Sequence, residues 1–199
     1  MAPRQPHETR RRILDAAFWE IYRNGYQGAS IDRILEGTGI TKGALFHHFS
    51  NKQQLGQAVI DELISAWMQE HWISPAEGLS DPIAGVPGMI QAYLERSPEE
   101  IIRGGCPWNN LAQEMAGIDE GFRLRLDAIA TAWRTALSES WRRGQANGLV
   151  SDGVDPDDAA ALVVSVTLGL LGTAKAAKSR EPAGRSLAAL THFLHGLRS

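Results

Sequence analysis

Apolar residues recur at helical spacing along most of the chain, and nowhere do they alternate with period two for long. The first stripe is Ile13, Leu14, Ala17, Phe18, Ile21 and Tyr22, which share one face of a helix. Gly25 is placed to end it in a left-handed conformation. Ser30 then caps a short second helix carrying Ile31, Ile34 and Leu35. Gly37 and Gly39 make a turn, and Thr41 caps a third helix whose Leu45 and Phe49 face inward. Ser50 with Gln53 reads as a capping box for a fourth helix, 50–72, with Leu55, Val59, Leu63 and Trp67 on one face.

Beyond that point the pattern loosens. Residues 73–87 are rich in Pro and Gly and read as a loop, with a helical turn after Asp81-Pro82. A helix is expected over 87–96, carrying Met89, Ile90, Tyr93 and Leu94. Pro107 opens another, with Trp108, Leu111 and Met115. Asp119 starts the longest helix, lined by Phe122, Leu126, Ile129, Trp133 and Leu137 and ended by Gly148. Asp155-Pro156-Asp157-Asp158 combines a cap, a first-position proline and two acids at the positive end of the dipole. The helix it starts runs to about Lys178, and Pro182 closes it. A last helix carries Leu187, Leu190, Phe193, Leu194 and Leu197. The expected fold is all-α, about nine helices, with domains over 1–53 and 54–199.

Composition narrows the function classes. No apolar run reads as a membrane span, and MAPRQPHETRRRIL has no apolar stretch of a secretory signal. One cysteine excludes an internal disulfide and a cysteine-rich zinc site. A cytoplasmic location follows, with no membrane partner, cofactor or metal expected. The net charge of −3 conceals an asymmetry: residues 1–56 carry +3 and residues 57–199 carry −6. A small basic piece on an acidic body suggests contact with a polyanion.

The third helix sharpens that suggestion. TKGALFHHFSNK is too short to bury much, yet it starts with Lys42 and ends with two histidines. Two short helices joined by a glycine turn and braced by a longer one form a helix-turn-helix. The second helix of such a pair enters the DNA major groove and needs only two turns to reach base edges. Gly43 and Ala44 permit close backbone approach, and Lys42 suits phosphate or guanine acceptors. A helical hairpin within a plain core has the same pattern.

TRRRILDAAFWEIYRNGYQGASIDRILEGTGITKGALFHHFSNKQQL resembles the DNA-binding domain of the TetR family of bacterial transcriptional regulators, almost continuously over residues 9–55. The resemblance implies groove and phosphate contacts at Ser30, Thr41, Lys42, Gly43, Ala44, Phe46, His47 and Lys52. Phe46 stands where the family usually has tyrosine, so a phosphate hydrogen bond is lost. His48 replaces a second aromatic and is open between a phosphate contact and ring packing.

The resemblance also implies a double-stranded DNA operator, a homodimer through the last two helices, about 155–178 and 183–197, and a small-molecule effector. A dimeric repressor on a palindrome is the expected form. ALVVSVTLGLLGTAKAA is apolar almost all round, and Gly169, Gly172 and Ala176 would let helices approach closely. Trp67, Met89, Tyr93, Trp108, Met115, Phe122 and Trp133, with Asn109 and Asn110 as polar partners, outline an effector pocket. A plain core would use the same large residues.

RGGCPWNNLAQEM supplies a second route. Cys106 precedes a helix-opening proline, and a thiol at a helix N-terminus has a lowered pKa, aided by Arg103. The Gly-Cys followed by Asn and Glu resembles a TetR branch that includes sensors of electrophiles and oxidants. Oxidation to a sulfenic acid and condensation with nitrogen, with Lys175 as candidate partner, would switch such a repressor. A small buried cysteine packed beside Trp108 is the alternative. An enzyme is not expected: no motif ties His71, His192 or His195 to Cys106, and there is no phosphate loop, dinucleotide fingerprint or metal pair. A helical adaptor using 30–52 is the remaining rival.

Overall fold

A computed structural model describes residues 6–199, and among them there is no β-strand, only an isolated antiparallel bridge between Val150 and Arg198. The secretory-signal reading of the N-terminus rests partly on residues 1–5, outside the described residues. The chain packs as two compact units. The first is the chain through Ala66 with Pro107–Asp127, and the second is Trp67–Cys106 with Ala128–Ser199.

In the first unit, α1 spans Pro6–Gly28, with a break at Gly25. That glycine has φ 74° and ψ 162°, a region closed to side-chain-bearing residues. It ends the regular helix as expected, though in a more extended conformation than a left-handed cap. Helix α2 is Ile31–Leu35, and Ser30 Oγ accepts from Arg33 N. Helix α3 is Lys42–His48, and Thr41 Oγ1 accepts from Ala44 N. Both caps stand where the sequence puts them. The next cap is displaced by one residue: Asn51 Oδ1 accepts from Gln54 N, and Gln54 Oε1 accepts from Ser50 N. The cap is therefore Asn51, and Gln54 reaches back to the N–H of Ser50, one residue before it, in place of the expected Ser50–Gln53 box.

Helix α4 runs over 52–77 and is not a uniform α-helix. Lys52–Ala58, Ser65–Met68 and Ser74–Glu77 are α, while Val59–Ile64 and Gln69–Ile73 are π turns. Each π turn advances the buried face by about one residue. The buried apolar set is Leu55, Val59, Ile60, Ile64, Met68, Trp72, Ile73 and Ala76. Leu63 and Trp67, expected on that face, are only half-buried.

In the second unit, α5 is Pro82–Arg96, so of residues 73–87, expected as a loop, only 78–81 lie outside helix. Asp81 Oδ1 caps it through Ile83 and Ala84 N, and Val86, Pro87 and Ile90 are buried, which compensates the prolines. A short helical segment follows at Glu99–Gly104. Helix α6, Pro107–Met115, belongs to the first unit. Helix α7 is Glu120–Ala146, entered through Asp119 Oδ1, which accepts from Phe122 N. Helix α8 is Pro156–Ala177, capped by Asp155 and ended by Lys178 in a left-handed conformation. Helix α9 is Glu181–His195 and packs on α8 and α5. Contrary to the sequence expectation, α8 is long and apolar enough by length and composition to cross a membrane. One side of it is nevertheless core: Ala160, Val163, Thr167, Leu170 and Ala174 are buried.

Candidate nucleic-acid interface and effector region

The reading helix α3 is held by few groups. Leu45 and Phe49 are buried and dock it, while Ile34 docks α2 and Ile13, Leu14 and Ala17 form the base on α1. The turn between α2 and α3 is fixed by Thr38, whose hydroxyl donates to Leu35 O and accepts from Ile40 N. The Arg12 guanidinium donates to the Thr38 carbonyl and ties the turn to α1.

That docking leaves one side of α3 free. Thr41, Lys42, Gly43, Phe46 and His47 are exposed, and Ser30, Ala44 and Lys52 are half-buried. Phe46 is 46% exposed, a large aromatic with little core role. A Cβ on Gly43 would meet nothing nearer than Thr41 Oγ1 at 3.9 Å, so the helix surface is open there. Two cations are already engaged. Lys42 Nζ lies 2.6 Å from Asp32 Oδ1, an exposed pair that salt and phosphate can displace. Lys52 Nζ sits 4.6 Å from the Tyr26 ring centroid and donates to Gln27 O at 3.3 Å. Burial holds the Lys52 ammonium below its ordinary pKa, with nearby Arg33 adding to the effect against Glu114 and Glu20.

His48 is half-buried, 5.4 Å from the His47 ring. Burial first, then His47, Arg10 and His7, push its pKa below the ordinary histidine value. Its ring also lies 6.4 Å from that of Phe49.

A group outside the helix-turn-helix braces it. Glu114, on α6, accepts from Tyr26 N and Gln27 N, both at 2.8 Å. The Tyr26 ring packs against Phe122 at 4.6 Å, and Gln53 Nε2 donates to Asp119 Oδ2 at 2.6 Å. Arg125 pairs with Asp61 at 3.0 Å. The sequence reading missed this bracing because the partners are up to 88 residues apart.

The residues proposed for an effector fall into both units. Trp108, Asn109, Asn110, Met115 and Phe122 belong to the first. There Trp108 Nε1 donates to Leu126 O at 3.0 Å, and Phe122 is committed to Tyr26. Trp67, Met89, Tyr93 and Trp133 belong to the second. The structure adds two residues to that group. His71 stacks on Trp67 at 4.4 Å, and Trp72 packs on Tyr93 at 4.6 Å and on Trp133 at 5.3 Å. Cys106 is 3% exposed, whereas Lys175 is exposed on α8. Among the described residues no group of three or more His, Cys, Asp or Glu is placed to hold a metal ion.

Comparison with known proteins gives these features a context. A family model described as "Bacterial regulatory proteins, tetR family" matches residues 13–59, and one described as "Tetracyclin repressor-like, C-terminal domain" matches residues 82–190. The chain belongs to the TetR family. An HTH-type transcriptional regulator of Lactococcus lactis is 31% identical over 133 residues, 66% of this chain and 67% of that protein. The HTH-type transcriptional repressor NemR of Escherichia coli is 23% identical over 192 residues, 94% of each chain. The crystal structure of a TetR regulator from Chloroflexus aurantiacus is similar at TM-score 0.86 and 26% identity, covering 98% of each chain. This TetR-family chain is thus a DNA-binding transcriptional regulator. Members of the family bind operator DNA, act as dimers and take small-molecule effectors.

Proposed function

We propose that the protein is a dimeric repressor, released from a palindromic operator when a small molecule binds the α4–α9 body. The single observation carrying this reading is the exposed outer side of α3, where Thr41, Lys42, Gly43, Phe46 and His47 lie together on a helix docked by only two buried residues. Residues 1–53 read DNA in this account, and 54–199 receive the effector and dimerise. That division is by role and cuts across the packing units. Location in the bacterial cytoplasm, with the chromosome, follows from the same reading.

The dimer would use α8 and α9. Leu162 and Phe193 are 40% and 50% exposed, and Cβ atoms at Gly169 and Gly172 would meet nothing within 4 Å. A two-fold pairing of this apolar side buries it and sets two reading helices on successive half-sites. Leu162→Asp with Phe193→Asp gives a monomer by sedimentation if the reading holds. DNA and effector oppose each other, and the coupling is reciprocal.

We place the chain in the branch marked by Gly105-Cys106, Asn109 and Glu114. Its thiol is buried, which favours a reversible ligand over oxidation or alkylation of Cys106 as the switch. The deciding experiment is a gel-shift against the DNA upstream of the protein's own coding sequence, with and without hypochlorite, followed by unbiased sequence selection. Salt-steep retardation supports the regulator. Failure to bind any selected duplex at low salt overturns it. Loss of the band with hypochlorite in the wild type but not in Cys106→Ser would instead establish the thiol switch.

A further inference from the structure

We propose that Asp32 is a specificity-determining residue of the DNA-reading head: it holds Lys42 off the phosphates of unmatched DNA, and on the operator it accepts from the N4 amino group of one cytosine. The inference rests on the reading of α3 as the helix that enters the major groove.

The geometry is an ion pair that spans the helix-turn-helix. Asp32 stands in the first turn of α2, and Lys42 is the first residue of α3. Their side chains meet at 2.6 Å, yet remain 75% and 58% exposed. The pair lies in the open, beside the exposed Thr41, Gly43, Phe46 and His47 of α3. An exposed pair contributes little to folding, and the α2–α3 turn has its own fastening in Thr38 and Arg12. The neighbouring cations are committed elsewhere. Arg33 holds Glu20 and the Gly28 carbonyl, and Lys52 holds the Tyr26 ring and the Gln27 carbonyl. Lys42 is the cation that answers Asp32.

A carboxylate at a DNA-reading surface is unfavourable beside a polyanion unless a donor meets it. With the pair closed, Asp32 and Lys42 together bring no net charge to the duplex, and Lys42 releases no counterion. Moving Lys42 to a phosphate strips Asp32 of its partner and leaves an anion facing the groove. A contact that costs more on the wrong partner than on the right one is a source of specificity. Chemistry sets the right partner. A carboxylate only accepts, and the major groove offers it two amino donors, adenine N6 and cytosine N4. Adenine places its N7 acceptor beside N6 and repels a second acceptor, whereas cytosine has no acceptor of its own on that edge. Cytosine N4 is the group that replaces the Lys42 ammonium. Where the operator presents it, Lys42 reaches phosphate while Asp32 keeps a donor.

The test uses full-length protein, the operator obtained by sequence selection, and a random-sequence duplex of equal length. Anisotropy titrations are run across a salt series. Asp32→Ala removes charge and acceptor together. On random duplex it should bind about threefold tighter. Its salt slope there should steepen by about 0.9, the phosphate that Lys42 gains. On the operator, one C·G pair that the wild type prefers by about tenfold should be read by the variant within about twofold, with other positions unchanged. Asp32→Asn, which keeps the shape without the charge, should give the same rise on random duplex. In a Lys42→Met background, Asp32→Ala should leave the random-duplex slope where it was, and a slope that still steepens overturns the proposal. An acid in the first turn also complements the helix dipole. Were that its whole role, Asp32→Ala would lower Tm with slopes and base preferences unmoved, and the proposal falls. It falls too if every operator position keeps its wild-type preference. Wild-type protein that selects no duplex sinks the regulator reading itself. Wild-type protein that selects one, beside an Asp32→Ala variant indistinguishable from it on both DNAs, sinks this proposal alone.

Discussion

Glu114 offers a quantitative test of how the DNA-reading head is held. Its carboxylate accepts from Tyr26 N and Gln27 N at 2.8 Å each, immediately before the α2 cap at Ser30. Hydrogen bonds to a charged group contribute about 1.5–3 kcal/mol each. The Gln27 N–H is exposed and water replaces the carboxylate there, while the Tyr26 N–H is partly buried and loses more. Glu114→Ala should therefore cost about 2–3 kcal/mol in all. For a chain of this size that lowers Tm by about 4–12 °C. Glu114→Gln keeps one acceptor but turns an NH₂ group toward the second N–H, so it should recover less than half of the loss. Operator affinity should fall with stability, because the turn sets the entry to α2. Thermal melts and fluorescence anisotropy on the same preparations measure both. A Glu114→Gln protein within about 1 °C of wild type with unchanged operator affinity would refute the bracing argument.

Three further outcomes are expected. Gly56→Ala places a Cβ 2.6 Å from Tyr26 Cε2 and 2.7 Å from Phe122 Cζ, so it should destabilise by about 1–3 kcal/mol in chemical denaturation; an unchanged midpoint would contradict the packing. Lys42→Met should reduce the salt slope of operator binding by about 0.9 with no change in Tm, whereas an unchanged slope removes Lys42 from the phosphate contacts. The Glu62 carboxyl is held below its ordinary range chiefly by the Arg10 hydrogen bond. At Asp81, burial pushes the carboxyl up, but the hydrogen bond from Arg198 and the Ala84 and Ile83 N–H groups outweigh it. Both groups bind fewer protons folded than unfolded, so their contribution is complete above the ordinary carboxylate range and is lost as pH falls from that range through their lowered folded values. Melts across acidic pH should show that loss, and Glu62→Gln should flatten it.

What proved legible in the sequence was local chemistry. Ser30 and Thr41 cap within three residues, and Asp155 announces α8 through its own first turn. The face of α4 was not legible, because a fixed period of 3.6 cannot anticipate two π turns. The regular period puts Leu63 and Trp67 on the face that Ile64, Met68 and Trp72 occupy. The start of α5 was obscured by Gly85, Pro87 and Gly88, breakers that its Asp81 cap and the burial of Pro87 override. At the candidate interface, the exposed side of α3 followed from the positions of Leu45 and Phe49. The engagement of Lys42 by Asp32 and of Lys52 by Tyr26 did not, since both are tertiary pairings.

The first packing unit is discontinuous: the chain leaves it at Ala66 and returns for Pro107–Asp127. Recombination between relatives must respect that stitch. A chimera made with one crossover after the reading head would pair this Tyr26 with a foreign Phe122 and this turn with a foreign Glu114. A hybrid that transplants operator specificity intact carries two cassettes, and genetic exchange that moves only the first inherits a reader without its brace.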